Sequence, residues 1–257
     1  MIGLGSAIGL GAGRSATASG RSGSGGGAAA SYSYANTQSI SLDGVNQYVS
    51  APLAAELQAF GIWFKPNSAI DKSSTAEWLL GIIASWGGIP LGTVTGSVTN
   101  EIVMYIDGGG GGTFRDFYAH ASESISANWH HLHLDWNGTN HRIYIDGVDK
   151  WSGSTGTPTT LTTEAIEVGR RKVPPNGAHF FHGIVNCFYV MSAGQSSDNI
   201  SALYNSGTPT DPRSVDNDNV IGWWPCEEGT GTSVEDLSTN ENDGTIINGG
   251  TWSSDTP

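Results

Sequence analysis

From Ser39 onward, apolar and polar residues alternate with a period of two, and Asx-Gly pairs or proline repeatedly cut the alternation. An amphipathic helix needs apolar residues three and four apart, so this pattern points to strands and turns. Ile40 and Leu42 alternate with serines before Asp43-Gly44 turns the chain toward Tyr48-Val49. Phe60, Ile62 and Phe64 alternate and stop at Pro66. Residues 78–86 are a continuous apolar run with Gly81 inside it, the pattern of a strand buried on both faces. Segments 102–106 and 114–119 flank the glycine run 108–112, which reads as a hairpin loop. Segments 129–136 and 141–145 flank Asn137-Gly138, and Asp146-Gly147 starts the next turn. Such dipeptides supply the positive φ that tight hairpins require. Segments 166–169, 183–190 and 220–226 bring the set to roughly ten or more strands.

One short helix is expected, with Ser197 as its cap, Ile200, Leu203 and Tyr204 on one face, and Gly207 just past its end. Its expected task is to plug an edge or end of the sandwich. Composition agrees with an all-β chain, since only 14% of residues are charged while 37 are glycine. The length of 257 residues suffices for one large β domain plus an extension.

The extension is a different polymer. Residues 1–37 are Gly, Ala and Ser with two arginines, Arg14 and Arg21, and no acid. Such a segment buries too little apolar surface to offset its ordering entropy, so order there requires a partner surface. The first eleven residues lack a basic n-region and are diluted by glycine, so they read as part of the arm rather than as a signal peptide. The expected division is an extended arm over 1–37 and one β domain over 38–257. Arg14 and Arg21 are candidate assembly contacts against an acidic neighbour.

A formal net charge of −13 repels phosphate backbones, which argues against a nucleic-acid partner. No apolar run approaches the ~20 residues that cross a bilayer, so no membrane partner is expected. Cys187 and Cys226 are the two cysteines. They leave two readings, buried free thiols acting as small hydrophobes or one bridge between neighbouring strands.

Residues 220–252 read VIGWWPCEEGTGTSVEDLSTNENDGTIINGGTW: a Trp-rich strand, an acidic Gly turn, then an Asp/Ser/Asn loop closed by Gly-Thr. Trp224, Glu228, Gly229, Gly231, Asp236, Ser238, Asn240, Asn242, Gly244 and Thr245 stand in the order of a signature that resembles laminin-G-like domains of the concanavalin A-like lectin/glucanase class. Leu42-Asp43-Gly44 with Tyr48-Val49 is similar to that family's opening strand, with Asn46 and Gln47 where paired acids are usual. Ile62-Trp63-Phe64-Lys65-Pro66 resembles the strand that follows. The segment from Trp129 to Val148 resembles the central hairpin. Val168-Gly169-Arg170 and 181–190 resemble later strands, with Asn186 and Cys187 replacing an acidic pair, and 197–207 resembles the family helix. The likeness covers 39–252. It implies an all-β, antiparallel two-sheet jelly-roll sandwich with one short helix and a Gly/Ser-rich N-terminal arm. The segment that often opens such domains here closes the chain, a circular arrangement that adjacent termini allow.

The residues allow several chemistries. His131, His133 and Asp135 share one strand face, where i, i+2 histidines can share a metal, or where they are hydrogen-bonded family-strand residues. Asp236, Ser238, Asn240, Asn242 and Asp243 are spaced like hard-cation ligands, with Asp43 joining them if the family fold brings the two segments together. Calcium is the cofactor this spacing allows; a chain of Asx-turns is the other reading. The fold class includes glucanases, but no clustered carboxylates of the Glu-x-Asp-x-x-Glu kind occur, and Glu227-Glu228 point to opposite sides of a strand. No nucleophile triad carries a local signature, so no enzyme is expected. Trp86, Trp136, Trp151 and Trp252 lie near loops and are candidates for stacking on sugar rings. Arg170, Arg171 and Lys172 form the basic cluster, a solvated loop or an assembly contact.

The Gly-rich start and the Thr-Trp-Ser-x-Asp-Thr-Pro finish look like structural proteins of marine bacteriophages. That resemblance implies a virion surface protein, present in many copies or as a homo-oligomer, its arm draped over major capsid or tail subunits as a capsid decoration protein. The other outcomes are a tail-fibre adhesin or a secreted carbohydrate-binding module, either of which would recognise host or environmental glycans.

Overall fold

A computed structural model describes residues 34–69, 77–83, 87–91, 102–105, 116–119, 125–137, 140–154, 161–173 and 177–257. Strands are numbered in chain order. The first sheet runs, in spatial order, β10 (Val148–Ser154), β9 (Asn140–Ile145), β8 (His130–Asn137), β3 (Ala59–Pro66), β14 (His182–Met191), β1 (Ser39–Asp43) and β18 (Thr251–Ser253). β15 (Val220–Trp224) also pairs with β14, opposite Phe188 to Met191, beyond the part of β14 that β1 occupies. The second sheet runs β16 (Ser233–Val234), β17 (Gly244–Ile247), β2 (Tyr48–Leu57), β11 (Leu161–Val168), β4 (Glu77–Ile83), β5 (Gly87–Leu91), β6 (Ile102–Tyr105) and β7 (Asp116–Ala119). β12 (Arg170–Val173) and β13 (Gly177–Phe180) form a separate hairpin.

The period-two pattern decides which side chains meet between the sheets. Ile40 and Leu42 of β1, Val49, Ala51 and Leu53 of β2, and Phe60, Ile62 and Phe64 of β3 all enter one apolar layer. β3 is buried on its other face too, where Trp63 joins a second layer with Tyr189, Met191, Leu203 and Trp223. That second layer exists because a helical segment covers the outside of the first sheet.

The helix α1 (Ser197–Tyr204) corrects the expected cap by one residue. Ser196 sits in extended geometry and its side chain accepts the Asn199 N–H at 3.1 Å, so Ser196 is the cap. The helix ends at Asn205 in the left-handed region, followed by one 3-10 turn to Gly207. It does not plug an edge or end: the Tyr204 ring stacks on Trp63 at 5.8 Å, on the outer face of the first sheet. A second short helix, α2 (Arg213–Asp216), follows it.

The last segment of the chain enters both sheets, through β15 and β18 on one side and β16 and β17 on the other. Ser39 pairs with Ser253, and Asn36 Nδ2 donates to the Pro257 carbonyl at 2.8 Å. The two ends of the sandwich therefore adjoin, the geometry a circular arrangement needs. Tyr34 to Thr37, the end of the expected arm, are tied to the sandwich; Tyr34 Oη donates to Asn186 Oδ1 at 2.6 Å. Arg14 and Arg21 lie outside the described residues. Both cysteines are buried free thiols.

Candidate functional site

The loop after β16 gathers the candidate cation ligands. Asp236 Oδ1 accepts the N–H groups of Trp223 at 2.9 Å and Ser238 at 2.8 Å. Its Oδ2 accepts Ser238 Oγ–H at 2.9 Å and the Asn242 N–H at 2.9 Å. Asp243 Oδ1 takes the Asp236 N–H at 3.0 Å, and Asn240 Nδ2 donates to the Ile221 carbonyl at 2.7 Å. Trp224 Nε1–H donates to the Asn242 carbonyl at 3.0 Å. The buried carboxylate is thus filled by four protein donors, and it organises the turn that carries β16 into β17. Calcium asks for six to eight oxygens aimed at one point. As folded, this loop does not fit that ion.

Asp43 is engaged elsewhere: its Oδ1 accepts the N–H groups of Val45 at 2.8 Å and Asn46 at 3.2 Å, an Asx-turn that launches β2. Among the described residues, no group of three or more His, Cys, Asp or Glu side chains is placed to hold a metal ion.

On the outer face of β8, His131, His133 and Asp135 do line up, and all three are buried. The Tyr189 hydroxyl lies 3.1 Å from His131 Nε2 and 3.1 Å from His133 Nδ1. One hydroxyl can donate to one ring and accept from the other, so it fixes complementary tautomers on the two histidines. Tyr189 reaches β8 by crossing β3 at Gly61, where a Cβ would sit 2.0 Å from its Cζ. Burial pushes the pKa of His131 well below its ordinary value, with His133 adding to the effect, and burial pushes His133 down to about 3. Both rings are neutral at neutral pH. Burial raises the Asp135 carboxyl to about 6, against the pull of the Gln195 N–H, which Oδ2 accepts at 2.6 Å, and of Arg142. These groups hold α1 to the sheet.

Arg170 is not a free loop cation. Its guanidinium lies 4.6 Å over the Tyr48 ring, and Nη1 is 3.3 Å from Glu167 Oε1. Tyr48 packs on Phe180 as well, at 6.4 Å between ring centroids. Tyr48 alternates with the inward-facing Val49, so this aromatic and charged patch stands on the outer side of the second sheet. Of the four candidate tryptophans, Trp252 is half-buried; its Nε1–H donates to the Gly231 carbonyl at 2.9 Å, and its side chain packs against the apolar layer between the sheets. Trp86 lies outside the described residues. Trp136, Trp151, Arg171 and Lys172 are placed on β8, β10 and β12 by backbone, and their side chains lie outside what is described.

Glu227 and Glu228 bind different neighbours. Glu227 accepts the Thr37 N–H at 3.0 Å and Thr37 Oγ1–H at 2.9 Å, while Glu228 Oε1 accepts the Glu235 N–H at 2.6 Å. Sequence reading passed over several buried polar anchors. Asn186 joins Tyr34 to the Gln38 carbonyl, and Arg213 grips Asp211 while lying 4.5 Å over the Trp223 ring. A lone Arg in an acidic segment was the available signal for Arg213.

Two antiparallel sheets with a capped outer face and a long polar turn define a lectin-type β-sandwich. A family model described as the concanavalin A-like lectin/glucanases superfamily, of laminin-G type, matches residues 35–201, and the chain belongs to that family. No curated protein sequence matches it. Among solved structures it is similar to a Bacteroides ovatus protein named provisionally as a carbohydrate binding protein. The identity is 18% and the TM-score 0.61, with 84% of this chain and 59% of that chain covered. It is also similar to the heptameric SAP-like pentraxin of Limulus polyphemus, at 10% identity and TM-score 0.50, covering 82% of this chain and 94% of that chain. At these identities the likeness is one of fold. Among the described residues, no helix is long and apolar enough to cross a membrane.

Proposed function

We propose that this chain is a non-enzymatic structural protein of a bacteriophage particle, a capsid decoration or other surface protein whose sandwich meets glycans. The observation that carries the reading is the pairing, in one chain, of a lectin-type sandwich with a Gly/Ala/Ser arm bearing Arg14 and Arg21. Glycine fits tight gaps between subunits, and the two arginines suit acidic neighbours, so the arm serves as the attachment to major capsid or tail subunits. Many copies on one particle multiply weak sugar contacts into useful avidity. The Tyr48 ring with the Arg170 guanidinium over it, and the exposed part of Trp252, offer the aromatic and hydrogen-bonding groups that sugars require.

A secreted carbohydrate-binding module or tail-fibre adhesin is the second reading, favoured by the carbohydrate-binding description of the Bacteroides ovatus protein. Deleting residues 2–33 separates the two. Loss of particle incorporation with unchanged glycan-array binding supports the first; full incorporation without the arm sinks it. Array binding that survives chelator fits a calcium-free site. Release of reducing sugar from any glycan would overturn the non-enzymatic assignment.

A further inference from the structure

Near its C-terminal end the chain crosses from one sheet to the other through an exposed Asn-Gly turn. β17 ends at Ile247 in the second sheet, β18 begins at Thr251 in the first, and Asn248, Gly249 and Gly250 join them. Asn248 and Gly249 are both exposed, with φ of 58° and 83°. Two side-chain bonds fasten this turn to the one between β1 and β2. Asn248 Nδ2 donates to the Asn46 carbonyl at 2.8 Å, and Gln47 Nε2 donates to the Gly249 carbonyl at 3.2 Å. Among the described residues nothing accepts the Gly249 N–H. A Cβ placed on Gly249 would meet nothing within 4 Å. The backbone nitrogen that follows Asn248 is therefore unbonded and open to approach.

We propose that Asn248 deamidates in the folded protein by ring closure onto the Gly249 nitrogen, and that its products unfasten the two turns from each other. Asparagine is a thermolabile residue, and a following glycine puts no side chain in the way of the ring. Covalent connectivity already holds the Asn248 side-chain carbon near that nitrogen, so closure asks only for rotation about χ1 and ψ of Asn248. An exposed turn tied down by two surface hydrogen bonds permits that rotation. Neither product carries the N–H that Asn46 accepts. Aspartate sets a carboxylate against the Asn46 carbonyl, two acceptors with no proton between them. Isoaspartate lengthens the main chain by one carbon where it passes between the sheets. The inference is independent of the glycan reading.

The chemistry needs only base and water. Hydroxide takes the Gly249 amide proton, and the nitrogen attacks Cγ of Asn248. The new N–Cγ bond closes a succinimide; the bond from Cγ to Nδ2 breaks, and that nitrogen picks up a proton and leaves as ammonia. Water then opens the ring. Addition at Cγ breaks the bond just formed and gives aspartate. Addition at the main-chain carbonyl breaks its bond to the Gly249 nitrogen and gives isoaspartate. No electrons change hands, and the net exchange is an amide and water for a carboxylate and ammonium.

The test incubates the full wild-type chain in native buffer at mildly alkaline and mildly acidic pH, with a parallel sample unfolded in urea. Peptide mapping by mass separates Asn248 from the other Asn-Gly pairs, at Asn137 and Asn176. Labelling by an isoaspartyl methyltransferase reports the isomer. The native alkaline sample is expected to lose the Asn248 peptide to aspartate and isoaspartate forms, and the acidic sample to keep it. Asn248→Gln retains an amide but cannot close the five-membered ring, so its peptide should stay unchanged. In converted protein, amide exchange should quicken in residues 46–50 and 245–253 and hold steady in β3, which lies away from both turns. An Asn248 peptide that converts in urea but survives in the native sample overturns the inference, because the fold then shields the site. Exchange in the converted protein identical to that of the Asn248→Gln chain overturns the unfastening.

Discussion

The two faces of the first sheet bury their side chains by different rules. Among the described residues the layer between the sheets is a continuous apolar cluster, built from Ile, Leu, Val, Ala and Phe with Trp224 and Cys226. The layer under α1 places Trp63, Tyr189 and Trp223 among His131, His133, Asp135, Asn186 and Gln195, all buried. Apolar packing tolerates many arrangements of the same volume, whereas a buried polar group requires its own partner at its own distance. The inner layer thus supplies cohesion. The outer one fixes which strand lies opposite which, since Tyr189 reaches one ring nitrogen on each of two β8 histidines only while Gly61 lies between them.

The contrast is most easily broken from the inside. Phe64 is fully buried and meets Phe181 edge-on at 6.1 Å. Phe64→Ala is expected to cost about 4 kcal/mol, the usual loss for a core aromatic, read as a lower urea midpoint. A second, smaller effect is expected outside. Tyr189→Phe removes one oxygen and creates no cavity, yet strands two imidazole nitrogens in a dry layer, for about 2–3 kcal/mol. If Tyr189→Phe is neutral while Phe64→Ala is severe, the outer layer is held by packing alone and the two layers follow one rule.

The same contrast explains what could be read from the sequence. The inner layer was legible, because Ile40, Leu42, Phe60, Ile62 and Phe64 announce it by period two. The Asp146-Gly147 turn was legible too, since both residues take the positive φ such a turn needs. β2 was recognised only at its start: it continues through Pro52, Ala54 and Ala55 to Leu57, where alanines blur the alternation and a bulge opposite Thr163 absorbs the irregularity. The outer layer was the least readable. Whether His131 and His133 bind a metal, face water or meet a tyrosine depends on a residue 56 positions away from His133 and on a glycine in a third strand. The Asp236 loop misled for a related reason, since Asx-turns and cation loops draw on the same side chains and differ only in where the oxygens point.

Acid gives a third handle, and its sign separates the groups of β8. His131 and His133 stay neutral in the fold, while the unfolded chain takes up protons below about 6.5. Each histidine therefore removes up to about 1.4 kcal/mol of stability per pH unit as pH falls below 6.5 toward its folded value. Asp135 acts oppositely. Its folded value of about 6 lies above the ordinary 3.8, so its contribution is present at low pH and lost as pH rises through 6. Two histidines against one carboxyl leave a net loss of about 1.4 kcal/mol per unit between pH 6 and 4. Asp135→Asn removes the opposing group and should steepen that slope to about 2.7 kcal/mol per unit. Urea midpoints from pH 8 to 4 measure both. A flat profile across that range would show that the histidines are not buried neutral in solution.

The mildest perturbation tests whether the outer layer depends on its cover. Ser196 caps α1 from outside the sheet and touches neither histidine; its side chain accepts the Asn199 N–H, and the Asn199 side chain in turn donates to Gln195 Oε1 at 2.9 Å. Gln195 supplies the backbone N–H that Asp135 accepts. Ser196→Ala should cost about 1 kcal/mol, the ordinary loss of a helix cap. Its informative readout is local. Amide exchange should quicken in residues 195–204 and at Leu132 to Asp135 of β8, which α1 shelters, and stay unchanged at Ile40 and Leu42, whose side chains lie between the sheets. Uniform quickening over both groups would mean that the two layers open together, and that the outer one has no stability of its own to lose.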